Sequence, residues 1–132
     1  HGSAATPQCL LKALAANCDH LRQVEIIAVS TLGELEIAKP AYKDRFYFNS
    51  RFVSENIRSA VNGDNGEYIP IFLSEISKLF EKGILPIDVA LIHVSLPDKH
   101  GYCSLGTSVD VAKSAVKHAK KIIAQINPNM PR

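Results

Sequence analysis

DVALIHVSLPDKHGYCSLGTSVD, residues 88–110, is the stretch on which the fold turns. It opens with an apolar run, Val89-Ala90-Leu91-Ile92-His93-Val94, rich in β-branched residues and short enough to be a strand buried on both faces. Ser95-Leu96-Pro97-Asp98 stops the run. A loop of small residues follows, His100-Gly101-Tyr102-Cys103-Ser104-Leu105-Gly106-Thr107, and Ser108 reads as the N-cap of a helix beginning at Val109. In a parallel α/β sheet, the carboxyl ends of strands and the amino ends of helices meet where ligands sit. The loop is longer than the roughly 2–6 residues a plain βα connection needs, so a role beyond turning the chain is expected.

Working outward, the flanks repeat the same alternation. Downstream, Val109, Ala112, Val116 and Ala119 mark the inner face of a helix running to about Lys120, and residues 122–126 (IIAQI) read as a buried strand. Upstream, Ser74 reads as the cap of a helix over 75–81, with Gly83 just past its end. Tyr68-Ile69-Pro70-Ile71 predicts a short strand, and Ser54 the cap of a helix over 55–61. Residues 45–49 (RFYFN) and 24–29 (VEIIAV) are further strands, the latter ending in Ser30-Thr31-Leu32-Gly33. Residues 34–43 have no clear period, and Pro40 breaks them. Thr6-Pro7 starts a helix whose Leu10, Leu11, Leu14 and Ala15 share one face. Strands alternating with helices predict the α/β class, a mostly parallel sheet with helices packed on it.

With 132 residues the chain is expected to hold one domain at most, residues 1–132. Apolar residues at 46% and charged residues at 21% are ordinary for a globular domain. A net charge of +2, evenly spread, argues against nucleic acid as a partner. No apolar run approaches a membrane span, and no signal peptide opens the sequence. Cys9, Cys18 and Cys103 are odd in number and lack CxxC spacing, so a reduced intracellular compartment is expected and a zinc site is not. His1-Gly2-Ser3 reads either as the scar of a cleaved tag or as the native end of a strand. Residues 127–132 (NPNMPR), following a strand at once, read as the cut edge of something longer.

Several residues invite chemical readings. His100 and Ser104, with Asp98 and Asp110 near in sequence, suggest a Ser-His-Asp set, but nothing resembles the strained GxSxG elbow that such a serine needs. Cys103 is expected to be a buried thiol, His93 a hydrogen-bonded core histidine, and His20 and His118 surface residues. The small residues say more. Gly2-Ser3-Ala4-Ala5 and Ser104-Leu105-Gly106-Thr107-Ser108 each precede a helix start. Both would offer unpaired backbone N–H groups to a phosphate, a carboxylate or a thioester oxyanion, unless they are simply permissive turns. Neither matches GxGxxG or a P-loop, which argues against dinucleotide binding and phosphoryl transfer.

Three segments resemble the amino-terminal half of the acetyl-CoA hydrolase and 4-hydroxybutyrate CoA-transferase family. They are residues 49–62 (NSRFVSENIRSAVN), 68–76 (YIPIFLSEI) and, most specifically, 94–106 (VSLPDKHGYCSLG). Residues 2–7 and 124–132 fit it too, so the similarity runs over nearly the whole chain. The resemblance implies a layered, Rossmann-like domain of a two-domain enzyme that moves CoA between an acyl-CoA thioester and a short-chain carboxylate such as acetate or 4-hydroxybutyrate. CoA thioester is then substrate, and no tightly bound cofactor or metal is implied. A glutamate carboxylate attacks the acyl-CoA carbonyl in that family, giving an acyl-glutamyl anhydride and then a glutamyl-CoA thioester. That glutamate lies in the second domain. Glu25, Glu34, Glu36, Glu55, Glu67, Glu75 and Glu81 do not correspond to it, so no catalytic residue is expected here and the chain alone is expected to be inactive.

The strand-end loops 2–6, 30–33 and 95–108 are then expected to wall the acyl pocket and keep water from the thioester. The substrate-binding candidates in them are Gly2, Ser3, Ala4, Pro97, His100, Gly101, Ser104, Gly106 and Ser108, with Asn49 and Arg58 as further polar contacts. Expected partners are the carboxy-terminal CoA-transferase domain, acyl-CoA, the acceptor acid and further copies of the chain in a homo-oligomer. The expected location is the cytoplasm, or the mitochondrion in a eukaryote. Two other readings are a free-standing, non-catalytic α/β interaction domain derived from that family and a small nucleotide-binding module. A stop codon after Arg132 would favour the former, and the missing glycine fingerprint argues against the latter.

Overall fold

Every strand pair among the described residues is parallel, as alternating strands and helices require. The structure is a computed structural model and describes residues 3–132, in two compact units: residues 8–70, and residues 71–132 with residues 3–7. Gly2 lies outside the described residues.

In residues 8–70 three strands, β1 (Val24–Ala28), β2 (Phe46–Ser50) and β3 (Gly66–Tyr68), stand in that order in one sheet. Alternation on β2 turns Phe46 and Phe48 into the core while Tyr47 stays exposed. Helix α1 (Gln8–Ala16) buries Leu11, with Leu10, Leu14 and Ala15 half-buried beside it, the face that the spacing predicts. The aperiodic stretch after β1 folds as two 3-10 turns, Glu36–Ala38 and Pro40–Tyr42. Lys39 between them is extended, as the residue before a proline must be, yet Ile37 reaches the core and is fully buried.

The predicted strand at 68–71 lies earlier, at Gly66–Tyr68. A Cβ on Gly66 would sit 2.8 Å from the Phe48 carbonyl, so glycine lets β3 close onto β2. Ile69 N–H still donates to Ser50 O at 3.0 Å, but Pro70 has no N–H to continue the ladder. Ser54 precedes a 3-10 turn, Glu55–Ile57, and then α2 (Arg58–Asn62), and its hydroxyl caps neither.

In the other unit β4 (Ile87–Val94) pairs with β5 (Ala119–Ile126). Ala90, Ile92 and Val94 form the buried face of β4 against Leu105, Val116 and Ala119. The predicted burial of both faces holds for one: Ala90, Ile92 and Val94 are buried, while Leu91 and His93 are half-buried and Val89 stays 45% exposed. The short 3-10 turn Ser3–Ala5 lies along β4, where Ala5, Thr6 and Pro7 are buried. Helices α3 (Leu73–Glu81) and α4 (Asp110–His118) pack together, Ser114 Oγ donating to Ser77 O at 3.3 Å.

Two helix starts differ from expectation. Helix α3 begins at Leu73 after Phe72, so Ser74 lies inside it, and Phe72 follows extended backbone that a side-chain cap does not enforce. Helix α4 follows Val109, and Ser108 is buried rather than capping it. The helix also ends at His118, because Ala119 turns extended and pairs with Ile87 at the start of β5. Strand β5 itself was expected to be buried. Instead Ile122, Ile123 and Ile126 are about half exposed, since β4 is its one paired neighbour among the described residues.

Candidate functional site

In each unit a set of polar residues tied by hydrogen bonds lies just past the carboxyl end of a strand. At the carboxyl ends of β1 and β2, Asn56 ties two loops together. Its Nδ2 donates to Thr31 O at 3.0 Å and Gly33 O at 2.8 Å, while its Oδ1 accepts Ser54 Oγ–H at 2.7 Å. Ser54 Oγ in turn accepts the Thr31 N–H at 3.4 Å, and Gln8 Nε2 donates to Leu32 O. Leu32 and Phe52, on these loops, are exposed and apolar.

Beneath them lies a buried polar row on one face of β2. Asn49 is 6% exposed and Arg51 3% exposed. Arg51 Nη1 donates to Asn49 Oδ1, and Asn49 Nδ2 donates to Glu25 Oε1. Burial pulls the Arg51 guanidinium below the ordinary arginine range, and the fields of Glu25 and Glu67 oppose that without reversing it. A cleft of about 710 Å³ lies at the other end of this sheet, among Arg22, Lys43, Asp44 and Asp64 before the strands begin. Its mixed charges stand away from the strand ends where α/β ligands are held.

At the carboxyl end of β4 the long loop folds back on itself. Ser95 N–H donates to Ser104 O, and Asp98 N–H to Tyr102 O, each at 2.9 Å. Asp98 Oδ1 accepts the N–H groups of His100 at 2.8 Å and Tyr102 at 2.9 Å. Arg132 closes the ring: Nη1 donates to Leu96 O at 3.0 Å, and Nη2 to Asp98 Oδ2 at 3.1 Å and Tyr102 O at 3.3 Å. Gly101 and Gly106 both hold positive φ, at 85° and 61°. Met130, buried, packs over Gly106, and Thr107 Oγ1 points at its sulfur.

The sequence candidates fare unevenly. Pro97, His100, Gly101, Ser104, Gly106 and Ser108 lie on this one loop, the first three exposed and Ser108 buried. Two amides suggested for an oxyanion are already occupied: Ser104 N–H donates to Ser95 Oγ at 2.9 Å and Gly106 N–H to Ser104 Oγ at 3.0 Å. Ser3 and Ala4 sit in the 3-10 turn beside β4. Arg58 is exposed at the start of α2, whereas Asn49 is buried in the polar row. Cys103, expected inside, is exposed at the loop's outer edge. His93 shares a 3.3 Å contact with Gln125, while its Nδ1 is buried without a partner. Sequence reasoning missed Arg51, Asn56, Ser95 and Arg132. The one signal for Arg51 was a charge set directly after an aromatic strand, and the others are polar residues whose partners lie far along the chain.

Asp98 makes this loop sensitive to acid. The Tyr102 N–H, then the His100 N–H, and then Arg132 hold its carboxyl below the usual range. A carboxylate whose folded pKa is depressed contributes order above its unfolded pKa and loses it as pH falls through the folded value. NMR titration of the Asp98 carboxyl is expected to show a midpoint below that of an ordinary aspartate, and Arg132→Ala to raise it. An unshifted midpoint in both proteins would remove the clamp.

Comparison with known proteins gives a consistent picture. The family model of the acetyl-CoA hydrolase/transferase N-terminal domain matches residues 1–132. The chain is 44% identical over 126 residues to 4-hydroxybutyrate coenzyme A transferase of Clostridium kluyveri, covering 96% of this chain and 29% of that protein. It is 40% identical over 133 residues to succinyl-CoA:acetate/propanoyl-CoA:succinate CoA transferase of Fasciola hepatica, covering 99% and 27%. The fold superimposes on RipA from Yersinia pestis with a TM-score of 0.87 at 26% identity, over 99% of this chain and 33% of that one. For the 4-hydroxybutyrate CoA-transferase of Porphyromonas gingivalis the TM-score is 0.76 at 25% identity, over 98% and 28%. The chain thus spans less than a third of the length of the curated relatives it matches. Among the described residues no helix is long and apolar enough to cross a membrane.

Proposed function

This chain belongs to the acetyl-CoA hydrolase/transferase family and matches its N-terminal domain, and from that premise we propose that it is the amino-terminal part of a CoA-transferase. The whole protein moves CoA from an acyl-CoA thioester to a short-chain carboxylate such as acetate or 4-hydroxybutyrate. The single observation that supports this most is a match over the entire chain to relatives named as CoA-transferases. No resident cofactor is needed, because the thioester itself supplies the activated acyl group.

In this reading the long loop after β4 walls the acyl pocket. On the β4 loop, Pro97, His100, Gly101, Ser104, Gly106 and Ser108 form a rim whose shape is set by Ser95, Asp98 and Arg132. Ser3 and Ala4, in the 3-10 turn along β4, belong to the same wall, and Asn49 and Arg58 are separate polar candidates within residues 8–70. A rigid wall matters because water competes with the acceptor acid for every thioester intermediate, and exclusion favours transfer over hydrolysis. The nucleophilic glutamate comes from a carboxy-terminal domain, the chain's main partner. Half-exposed Ile122, Ile123 and Ile126 on β5 support further polypeptide, from that domain or a second copy, against this sheet. The protein works in the cytoplasm, or in the mitochondrion of a eukaryote.

The test is label exchange. Full-length protein incubated with an acyl-CoA and isotopically labelled acetate is expected to place label in the acyl-CoA pool, with little free CoA released. Residues 1–132 alone are expected to give none. Net release of free CoA by the full-length protein would make it a hydrolase, and turnover by residues 1–132 alone would overturn the proposed division of labour.

A further inference from the structure

Residues 127–132 lie along the β4 loop and are fastened to it at three levels. Asn127 N–H donates to Val94 O at 2.9 Å, where the loop leaves the strand. Met130, buried, packs over Gly106 near the loop's far end, and its N–H closes a turn on Asn127 O at 3.1 Å. Between these, Arg132 spans the loop. Its Nη1 donates to Leu96 O on the outgoing arm, and its Nη2 to Asp98 Oδ2 and to Tyr102 O on the returning arm. Among the described residues the other donor to Leu96 O is the adjacent Ser95 Oγ, at 3.0 Å, and Pro97 has no N–H to give. Without Arg132, nothing ties Leu96 or Pro97 across the loop. The Arg132 and Asp98 side chains are 48% and 32% exposed, and an ion pair this open to water adds little to overall stability. Three directed bonds from one planar fork fix a shape instead.

We infer that Arg132 is a positioning residue for CoA transfer: it holds the two arms of the β4 loop together, and the closed loop favours transfer over hydrolysis. This rests on the CoA-transfer reading and deepens it. In hydrolysis a water oxygen bonds to the thioester carbonyl carbon and the C–S bond breaks; one water proton ends on the CoA sulfur and the other is released. In transfer the acceptor's carboxylate oxygen makes that bond in place of water. The two outcomes differ in which oxygen reaches the carbon, so the fit of the wall can change their ratio while the nucleophilic glutamate stays the same. The residues that Arg132 holds suit this task. Leu96 and Tyr102 are 50% and 72% exposed, apolar surface with which to cover a reacting group.

The experiment compares full-length wild type, Arg132→Lys and Arg132→Ala by the ratio of free CoA released to labelled acetate incorporated into acyl-CoA. Arg132→Ala is expected to raise that ratio by roughly 10-fold, the scale of one lost charge-assisted hydrogen bond, with the melting temperature unchanged. Millimolar guanidinium added to Arg132→Ala is expected to restore the ratio. Arg132→Lys keeps the charge but loses the fork, and is expected to lie between. Amide hydrogen exchange at His100 and Tyr102 is expected to quicken in Arg132→Ala. An unchanged ratio in Arg132→Ala, or transfer and hydrolysis falling together with the melting temperature, would overturn the assignment. Exchange separates this inference from the reading beneath it. If the full-length protein moves no CoA, quicker exchange at these two amides sustains Arg132 as the residue that sets the loop and the transfer reading alone falls. Unchanged exchange ends the inference whatever the activity.

Discussion

Gly106→Val is expected to lower the melting temperature by about 10 °C or more and to abolish CoA transfer by the full-length protein. Two independent costs meet at this position. Gly106 has a φ of +61°, where an L side chain costs roughly 1–2 kcal/mol and a β-branched one more. Its Cβ would also clash with Met130 Sδ and stand 2.5 Å from Met130 Cγ, with the Pro131 carbonyl at 3.1 Å. Met130 must leave its buried place, which forfeits about 1.5–3 kcal/mol of burial. Together these approach half the stability of a marginal domain, about 5–15 kcal/mol in all. Met130→Ala alone forfeits the same burial, so adding Gly106→Val to it is expected to cost only the backbone strain, a smaller drop than Gly106→Val causes in the wild type. Thermal denaturation of the four proteins measures both parts. Normal turnover by Gly106→Val would detach this loop from the active site.

How much of this was legible in the sequence follows from which forces act locally. The β4 strand and its long loop are read directly from residues 88–110, because an apolar β-branched run and its Pro-Asp stop are local signals. The same holds for Phe46 and Phe48, whose alternation with Tyr47 sets the face of β2. Burial was less legible. Ile122, Ile123 and Ile126 look like core residues by composition, but exposure depends on what lies across the strand, which no local pattern carries. Ser54, Ser74 and Ser108 look like caps for the same reason. Ser54 is drawn instead to Asn56 and Thr31, the latter 23 residues away in sequence. The candidate loop was found by its small residues, but its amides were misjudged, since Ser95 and Ser104 hydroxyls take them. Arg51 was passed over because its burial depends on what packs around the end of β2, which no local pattern shows.

The second large effect concerns where the covalent chemistry happens. A carboxylate nucleophile has to be held against the thioester and shielded from water, since exposure favours a hydrated, slow carboxylate. Glu25, Glu34, Glu55, Glu67, Glu75 and Glu81 are exposed and Glu36 is half-buried, paired with Lys39. None of them stands on the 95–108 loop, whose acidic group, Asp98, is engaged by two amides and Arg132. In the proposed function these residues build a wall, and the attack falls to a glutamate outside them. Full-length protein treated with acyl-CoA forms a glutamyl-CoA thioester in this account, and borohydride reduces that group to an alcohol with release of the CoA thiol. Peptide mass spectrometry then locates it. The expected result is one modified glutamate outside residues 1–132 and none within them, and an alcohol found on any of the seven glutamates named here would contradict the account.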